Sequence, residues 1–274
     1  MKDLRFKVDG ESCSRCRLCV DDCPNRVLTQ RDGACPEVVA GREDLCFGCQ
    51  HCFAICPSGS LSIFGLDPAG SEIRDPAGFP SPEAMGRLIR NRRSVRKYER
   101  ENVPAEVIDG ILADLQYVPT AQNKRYLKFT VVDDYRVMDG LRERIVSLAE
   151  KALAGGLDSR FVAGVVKYMR RDGVDVLFRG APHLMLVSAH EGQVSAAQDV
   201  SLALAYFELL AASRGLGTCW CGFLGVFERA VPGVREALGL GATDAFYSVY
   251  FGPPAVRYAR APQRLGTSAI ARLA

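Results

Sequence analysis

Eight cysteines carry the densest chemistry in this 274-residue chain. Cys13, Cys16, Cys19 and Cys23 are followed by Pro24, and Cys46, Cys49, Cys52 and Cys56 by Pro57, so that each copy reads C-x2-C-x2-C-x3-C-P. Three thiolates at this spacing in a tight loop wrap three corners of one iron-sulfur cubane, and the fourth ligand must come from elsewhere. The x3 step and the proline, which fixes φ and cannot continue a helix, carry each fourth cysteine away from its own loop. The spacing therefore predicts two [4Fe-4S] clusters. One uses Cys13, Cys16, Cys19 and Cys56; the other uses Cys46, Cys49, Cys52 and Cys23.

The competing chemistries fit less well. Zinc sites use two well-separated C-x2-C pairs, and disulfides belong to oxidising compartments that nothing in the chain signals. The stretch resembles the two-cluster bacterial ferredoxin family over about the first quarter of the chain. Its spacer is longer than usual and contains Cys35, which fits neither copy and reads as an ordinary loop cysteine.

The elements that must position further chemistry lie downstream. The module is expected to span 1–65 and to close on the apolar strand Leu61 to Phe64. A Gly-, Pro-, Asp- and Ser-dense linker follows over 66–80, and a second domain over 81–274. Ser81-Pro82-Glu83 supplies a cap, a first-turn proline and an early acid for a helix. Another helix follows Pro104 and stops at Pro119. Strands are expected at Leu127–Val132, His183–Ser188 and Ala245–Phe251, with a further strand through Cys219 and Cys221. Helices are expected at Tyr135–Ala154, Ser159–Arg171, Ser195–Arg214 and Gly233–Leu238. The stretch 224–232 is left unassigned. Helices interleaved with a few strands give an α+β fold class.

Hydrophobic content of 48% is enough for real cores, and a formal charge of +3 gives no nucleic-acid signature. Residues 1–65 hold eight Lys or Arg against nine Asp or Glu, so clusters would make that part anionic. The opening MKDLRFKVDGES has no apolar core of a signal peptide. The most apolar run, Val194 to Ala212, contains Asp199 and Glu208, so no membrane span is expected. A reducing cytoplasm is the expected location. Neither G-x-G-x-x-G nor G-x4-G-K-[ST] occurs, which leaves a Rossmann site or P-loop without support.

In the second domain, Arg92, Arg93, Ser94 and Arg96 place three guanidinium groups and a hydroxyl within five residues, a set suited to phosphate. Alone, such a run also fits a solvated helix end. The segment RRSVRKY, the loop PTAQN, the pair Ala181-Pro182, the sequence GLGTCW and the tail FGPPAVRYARAPQR occur in the order seen in the nitroreductase family. Residues 81–274 resemble that FMN-dependent family over nearly their whole length.

The resemblance implies site residues one by one. Arg92, Arg93, Ser94 and Arg96 match the segment that binds the FMN phosphate and ring edge. Asn123 matches the loop asparagine that hydrogen-bonds the flavin. Cys221 and Gly222 fall where backbone N–H groups approach the ring, and Arg264 matches the tail arginine that returns to the phosphate. Pro262 stands where some relatives have a lysine, for which Arg260 would substitute. The implied protein is a cytoplasmic iron-sulfur flavoprotein, a homodimer with FMN at the subunit interface. It would take electrons from a low-potential donor such as ferredoxin, or from NAD(P)H, and pass them through two clusters and FMN to a nitroaromatic, quinone or activated alkene. The alternative is an electron carrier or redox sensor that docks to a protein partner.

Overall fold

The duplicated cysteine motif folds as duplicated local structure. In this computed structural model, which describes residues 2–264, 266 and 268–273, Arg15 and Arg17 in the first copy take positive φ (58° and 65°). Gly48 and Gln50 do so at the matching places in the second (67° and 60°). Left-handed backbone at a non-glycine residue costs roughly 1–2 kcal/mol, so Arg15 is strained where the second copy has the permissive residue. Arg17 and Gln50 each cap a one-turn helix, α1 (Leu18–Asp21) and α2 (His51–Ala54). The turn before each helix lets the first three cysteines of its copy converge.

These loops belong to the first of two compact units, which runs to Phe79 and takes in Gln122–Lys124. Short antiparallel pairs frame it. β1 (Lys7–Val8) joins β4 (Leu61–Ser62), and β2 (Leu28–Thr29) joins β3 (Glu37–Val38). The closing strand is shorter than expected, because Phe64 turns to φ 58° and donates its N–H to Leu4 O. Two short 3-10 turns, Pro68–Gly70 and Pro76–Gly78, interrupt the expected linker. Asp67 and Asp75 cap them, each accepting at 2.9 Å from the amide two residues on.

The second unit comprises Pro80–Ala121 and the chain from Arg125 onward. α3 (Pro82–Asn91) starts at Ser81, whose hydroxyl accepts from Ala84 N at 3.1 Å. α4 (Ala105–Leu115) follows Pro104. Then come β5 (Lys128–Val132), α5 (Tyr135–Ala154), α6 (Arg160–Arg171), β6 (His183–His190) and α7 (Ala196–Ser213). The unit ends with β7 (Gly217–Trp220), α8 (Gly222–Ala230), α9 (Val234–Ala237) and β8 (Asp244–Gly252). The sheet order is β5-β6-β8-β7 with antiparallel neighbours throughout. β6 is buried on both faces, which explains its continuous apolar run: Met185 and Val187 pack toward α4 and α7, Leu184 and Leu186 toward α5, α6 and α8. Helix α8 is the element missing from the sequence reading, and its buried Leu224 and Phe227 show the i, i+3 spacing that identifies it. The expected strand through Cys221 stops one residue earlier, at Trp220.

One close approach helps fix this layering. A Cβ on Gly252 would collide with Pro182 Cγ. Gly252→Ala is therefore expected to cost about 1–3 kcal/mol by overpacking. Gly140→Ala, in open space on α5, is expected to add about 0.5–1 kcal/mol. Urea denaturation of both variants checks the pair. His183 is fully buried and neutral: Nε2 accepts from Val103 N–H at 2.9 Å, and Nδ1 meets Val132 O at 3.2 Å. Burial holds its pKa below the usual 6.5, so protonation is easier in the unfolded chain. The stabilisation is complete above pH 6.5 and is lost as pH falls below it. His183→Gln is expected to lower the urea midpoint at pH 7.5 and to flatten its decline between pH 6.5 and 5.

Candidate functional site

The first unit gathers the eight motif cysteines into two sets of four. Cys23, Cys46, Cys49 and Cys52 line one cavity together with Leu4, Val27, Leu28, Phe47, His51 and Ile63. Cys13, Cys16, Cys19 and Cys56 line another together with Arg15, Arg17, Gln30 and Ser60. In each, the fourth cysteine comes from the other copy, as the spacing requires. Among the described residues, no three His, Cys, Asp or Glu side chains stand close enough to hold a single metal ion, as a tetrahedral zinc site would need. Four thiols around a cavity are the donor set of a cubane, so the residues fit that group.

The sulfur environments differ. Burial pushes the Cys52 thiol up to about 12 and raises Cys19 as well. Such thiolates need cationic metal to compensate the desolvation. The Ser14 hydroxyl lowers Cys16. For Cys56, burial is outweighed by hydrogen bonds from Ser60 and Ser58, at 3.3 and 3.7 Å, and the net shift is downward. Backbone N–H groups point at the other set: Val27 N lies 3.3 Å from Cys23 Sγ, and Gly48 N 3.4 Å from Cys46 Sγ. His51 pairs with Asp22 at 3.0 Å on the same wall. Cys35 lies beside Cys13, and desolvation followed by that contact raises its thiol. It lines neither cavity. Asn123 sits in this unit, its Nδ2 donating to Gly48 O at 3.0 Å.

In the second unit the arginine segment leaves α3 and crosses the end of β7. Val95 N donates to Thr218 O at 2.9 Å, and Ser94 bridges Thr218 in parallel. Gly217 allows this crossing, since a Cβ there would lie 2.8 Å from Val95 Cβ. The result is an open cavity lined by Arg92, Arg93, Gly215, Gly217, Thr218 and Tyr258, among others. None of its described lining residues is acidic. Arg96 is exposed, as are Arg260 and Arg264 in the tail. Cys221 is buried: its N–H donates to Ser248 O at 2.9 Å, its thiol to Leu177 O at 3.4 Å, and burial raises it to about 12. Gly222 begins α8 at the surface.

Glu208 is the functional candidate that sequence reasoning missed. It projects from α7, only 11% exposed, and meets Arg92 at 2.9 Å while Thr218 Oγ1 donates to it at 3.4 Å. The available signal was a carboxylate within the most apolar helix, since a buried charge of this kind requires a partner. Asp199 is buried on the same helix and accepts from Ala121 N at 2.8 Å and Tyr126 OH at 2.5 Å, anchoring the approach to the 121–123 turn.

Comparison with known proteins separates the same two regions. Residues 89–252 match the nitroreductase family, and residues 12–60 match the 4Fe-4S dicluster domain. A nitroreductase with bound FMN from Bacteroides fragilis aligns with 25% identity and a TM-score of 0.55, covering 68% of this chain and 97% of that one. An FMN-bound nitroreductase from Desulfitobacterium hafniense shares the fold at 22% identity and a TM-score of 0.53, covering 68% and 96%. Iodotyrosine deiodinase of Thermotoga neapolitana is 24% identical over 131 residues, 48% of this chain and 69% of that protein. Hydrogenase-4 component A of Escherichia coli is 34% identical over 64 residues, and this chain spans 29% of its length.

Glu208→Ala removes the partner of a half-buried guanidinium and is expected to cost on the order of 2–3 kcal/mol. Glu208→Gln, which keeps a hydrogen-bond acceptor, is expected to cost less. Thermal unfolding of the two variants checks the ordering.

Proposed function

The chain belongs to the nitroreductase family, and from that premise we propose that it is an FMN-dependent oxidoreductase fed by its own pair of [4Fe-4S] clusters. The observation that carries the reading is the presence, on one chain, of two four-thiol cavities and a cavity walled by arginine and glycine. When bound, the clusters supply single-electron transfer and FMN supplies paired-electron chemistry, with a nitroaromatic, quinone or activated alkene as acceptor.

The chain's residues have defined parts in this reading. Arg92 and Arg93 bind the FMN phosphate at the cavity wall, where Glu208 fixes the Arg92 guanidinium by one Nη. Ser94 and Arg96 extend that grip. Gly215 and Gly217 keep the wall thin enough for backbone to approach a ligand. Arg260 and Arg264 supply further cationic groups from the tail. The two cysteine sets hold the clusters, and no helix among the described residues is long and apolar enough to cross a membrane.

A homodimer fits the exposed side of α7. Leu202 and Tyr206 there are 45% and 48% exposed, in line with Ala205 and Leu209, so a helix whose other side is buried carries a second apolar stripe. The electron donor in this reading is a reduced ferredoxin-like carrier, supported by the fused cluster unit. Fast flavin bleaching by NADH in a cluster-free variant would assign that part to NAD(P)H instead.

The test is an anaerobic reductive titration of freshly purified protein, recorded by absorbance and EPR together. Two reducible clusters and a flavin band that bleaches with them are expected, in a particle of twice the chain mass. Clusters without flavin would sink the oxidoreductase reading and favour an electron carrier. Arg92→Ala with Arg96→Ala is expected to lower FMN per chain by at least tenfold while iron content stays unchanged. Undiminished FMN would remove the phosphate assignment.

A further inference from the structure

The two cysteine loops match in backbone and ligand spacing but not in charge. In the first loop, the left-handed positions between cysteines are Arg15 and Arg17; in the second they are Gly48 and Gln50. Arg15 occupies a conformation that disfavours any side chain, at a place where the sister loop uses glycine. Strain retained at one copy of a duplicated site points to a use for the side chain.

Both arginines line the cavity of Cys13, Cys16, Cys19 and Cys56. Backbone carbonyls hold them there: Arg15 donates to Gly10 O at 3.2 Å and Cys13 O at 3.4 Å, and Arg17 to Gln30 O at 3.0 Å. Buried Gln30 returns a bond to Arg15 O at 3.2 Å, tying the two turns together. Of the nearby acids, Asp21 reaches Arg17 only at 3.8 Å and is mostly exposed, and Asp9 is engaged by Ser12 and the Glu11 amide. The cavity of Cys23, Cys46, Cys49 and Cys52 is lined by apolar side chains, Asn25, Gln50 and His51, the last paired with Asp22. Lys2 touches this set through backbone only: its Nζ donates to Cys46 O at 2.7 Å, while its own amide meets Asp44 at 2.7 Å.

Hydrogen bonds to sulfur favour the same site, since Cys56 has two hydroxyl contacts and Cys16 one from Ser14, while Cys23 and Cys46 have one amide each. Fixed charge on the cavity lining adds to them. A positive group beside a cluster favours the state that has gained an electron, and local charge is one of the protein's levers on cluster potential. We propose that Arg15 and Arg17 make the site of Cys13, Cys16, Cys19 and Cys56 the higher-potential one of the pair. It therefore accepts the first electron from a low-potential one-electron donor, and the arginine-free site accepts the second. Each event adds one electron, and no bond forms or breaks. This inference rests on the reading that both sites hold clusters.

The test is an EPR-monitored redox titration of the anaerobically purified full chain, preceded by iron analysis. Arg15→Gly with Arg17→Gln rewrites the first loop as the second and relieves backbone strain, so loss of fold does not confound it. The expected result is that the higher of two midpoints falls, by at least a tenfold change in reduced-to-oxidised ratio at fixed potential, which is about 59 mV for one electron. The lower midpoint should stay in place. Gln50→Arg, at a position already left-handed with a side chain, is expected to raise the lower midpoint. Iron content well short of two clusters would overturn the cluster reading and this inference together. Two clusters with an unmoved higher midpoint, or with the lower one shifting in the double variant, would overturn this inference alone.

Discussion

Converging four thiols on each of two cavities is the constraint on which the first unit depends. Among the described residues, its buried apolar core amounts to Leu4, Cys19, Val27, Leu28, Leu61 and Ile63. Its strands are two-residue pairs, and a core of that size in roughly eighty residues supplies little stability without a staple. The cysteine loops also cost something to form, since Arg15, Arg17 and Gln50 all hold left-handed backbone. Metal coordination is the term large enough to offset these deficits, because binding free energy at such a site is folding free energy. The half-buried Cys52, whose thiol resists ionisation, belongs to the same balance: its thiolate is tolerable where a cation replaces the lost water.

The second unit solves a different problem with ordinary materials. β6 is buried along most of its length and carries the core on both faces of the sheet, while the buried side of α7 packs on one of them. That economy leaves few places for charge, and two of the groups that enter are ion-paired. Glu208 meets Arg92, and Arg142 bonds Asp139, Asp175 and the carbonyl of Ala181. Arg142 thereby stitches α5 to the turn that precedes β6. Glu208 does similar work for the arginine segment. It holds a cation at the wall of the cavity, where a flexible side chain would otherwise lose rotamer freedom each time a ligand arrived.

Much of this was legible in the residues because each signal had a local cause. Helix starts at Ser81, Asp134 and Ser159 follow from side chains that accept backbone N–H groups. The division of eight cysteines into two crossed sets follows from spacing and proline. What escaped was decided by tertiary partners. The strands β1, β2 and β3 are too short to show alternation, and their pairing is non-local. Helix α8 begins directly after a strand, with Cys221 at its cap and no side-chain hydrogen bond there, so no start signal preceded it. Asn123 and Cys221 show the same limit at the level of sites. A motif places them in order along the chain, but Gly48 O and Ser248 O determine where their hydrogen-bonding groups point.

A duplicated motif also separates what the metal dictates from what it leaves free. The ligand spacing comes with left-handed turns between the cysteines, and both copies show nearly the same φ values. It does not specify which side chain rides on a left-handed turn. Steric preference there favours glycine, which Gly48 satisfies and Arg15 does not. Neutral drift would be expected to settle toward the unstrained residue, as the cost is paid in every folded molecule. Arginine at this position, with a second one two residues on and both anchored to carbonyls beside the same cavity, is therefore more economically explained by what its charge does to the site than by what it does for the fold.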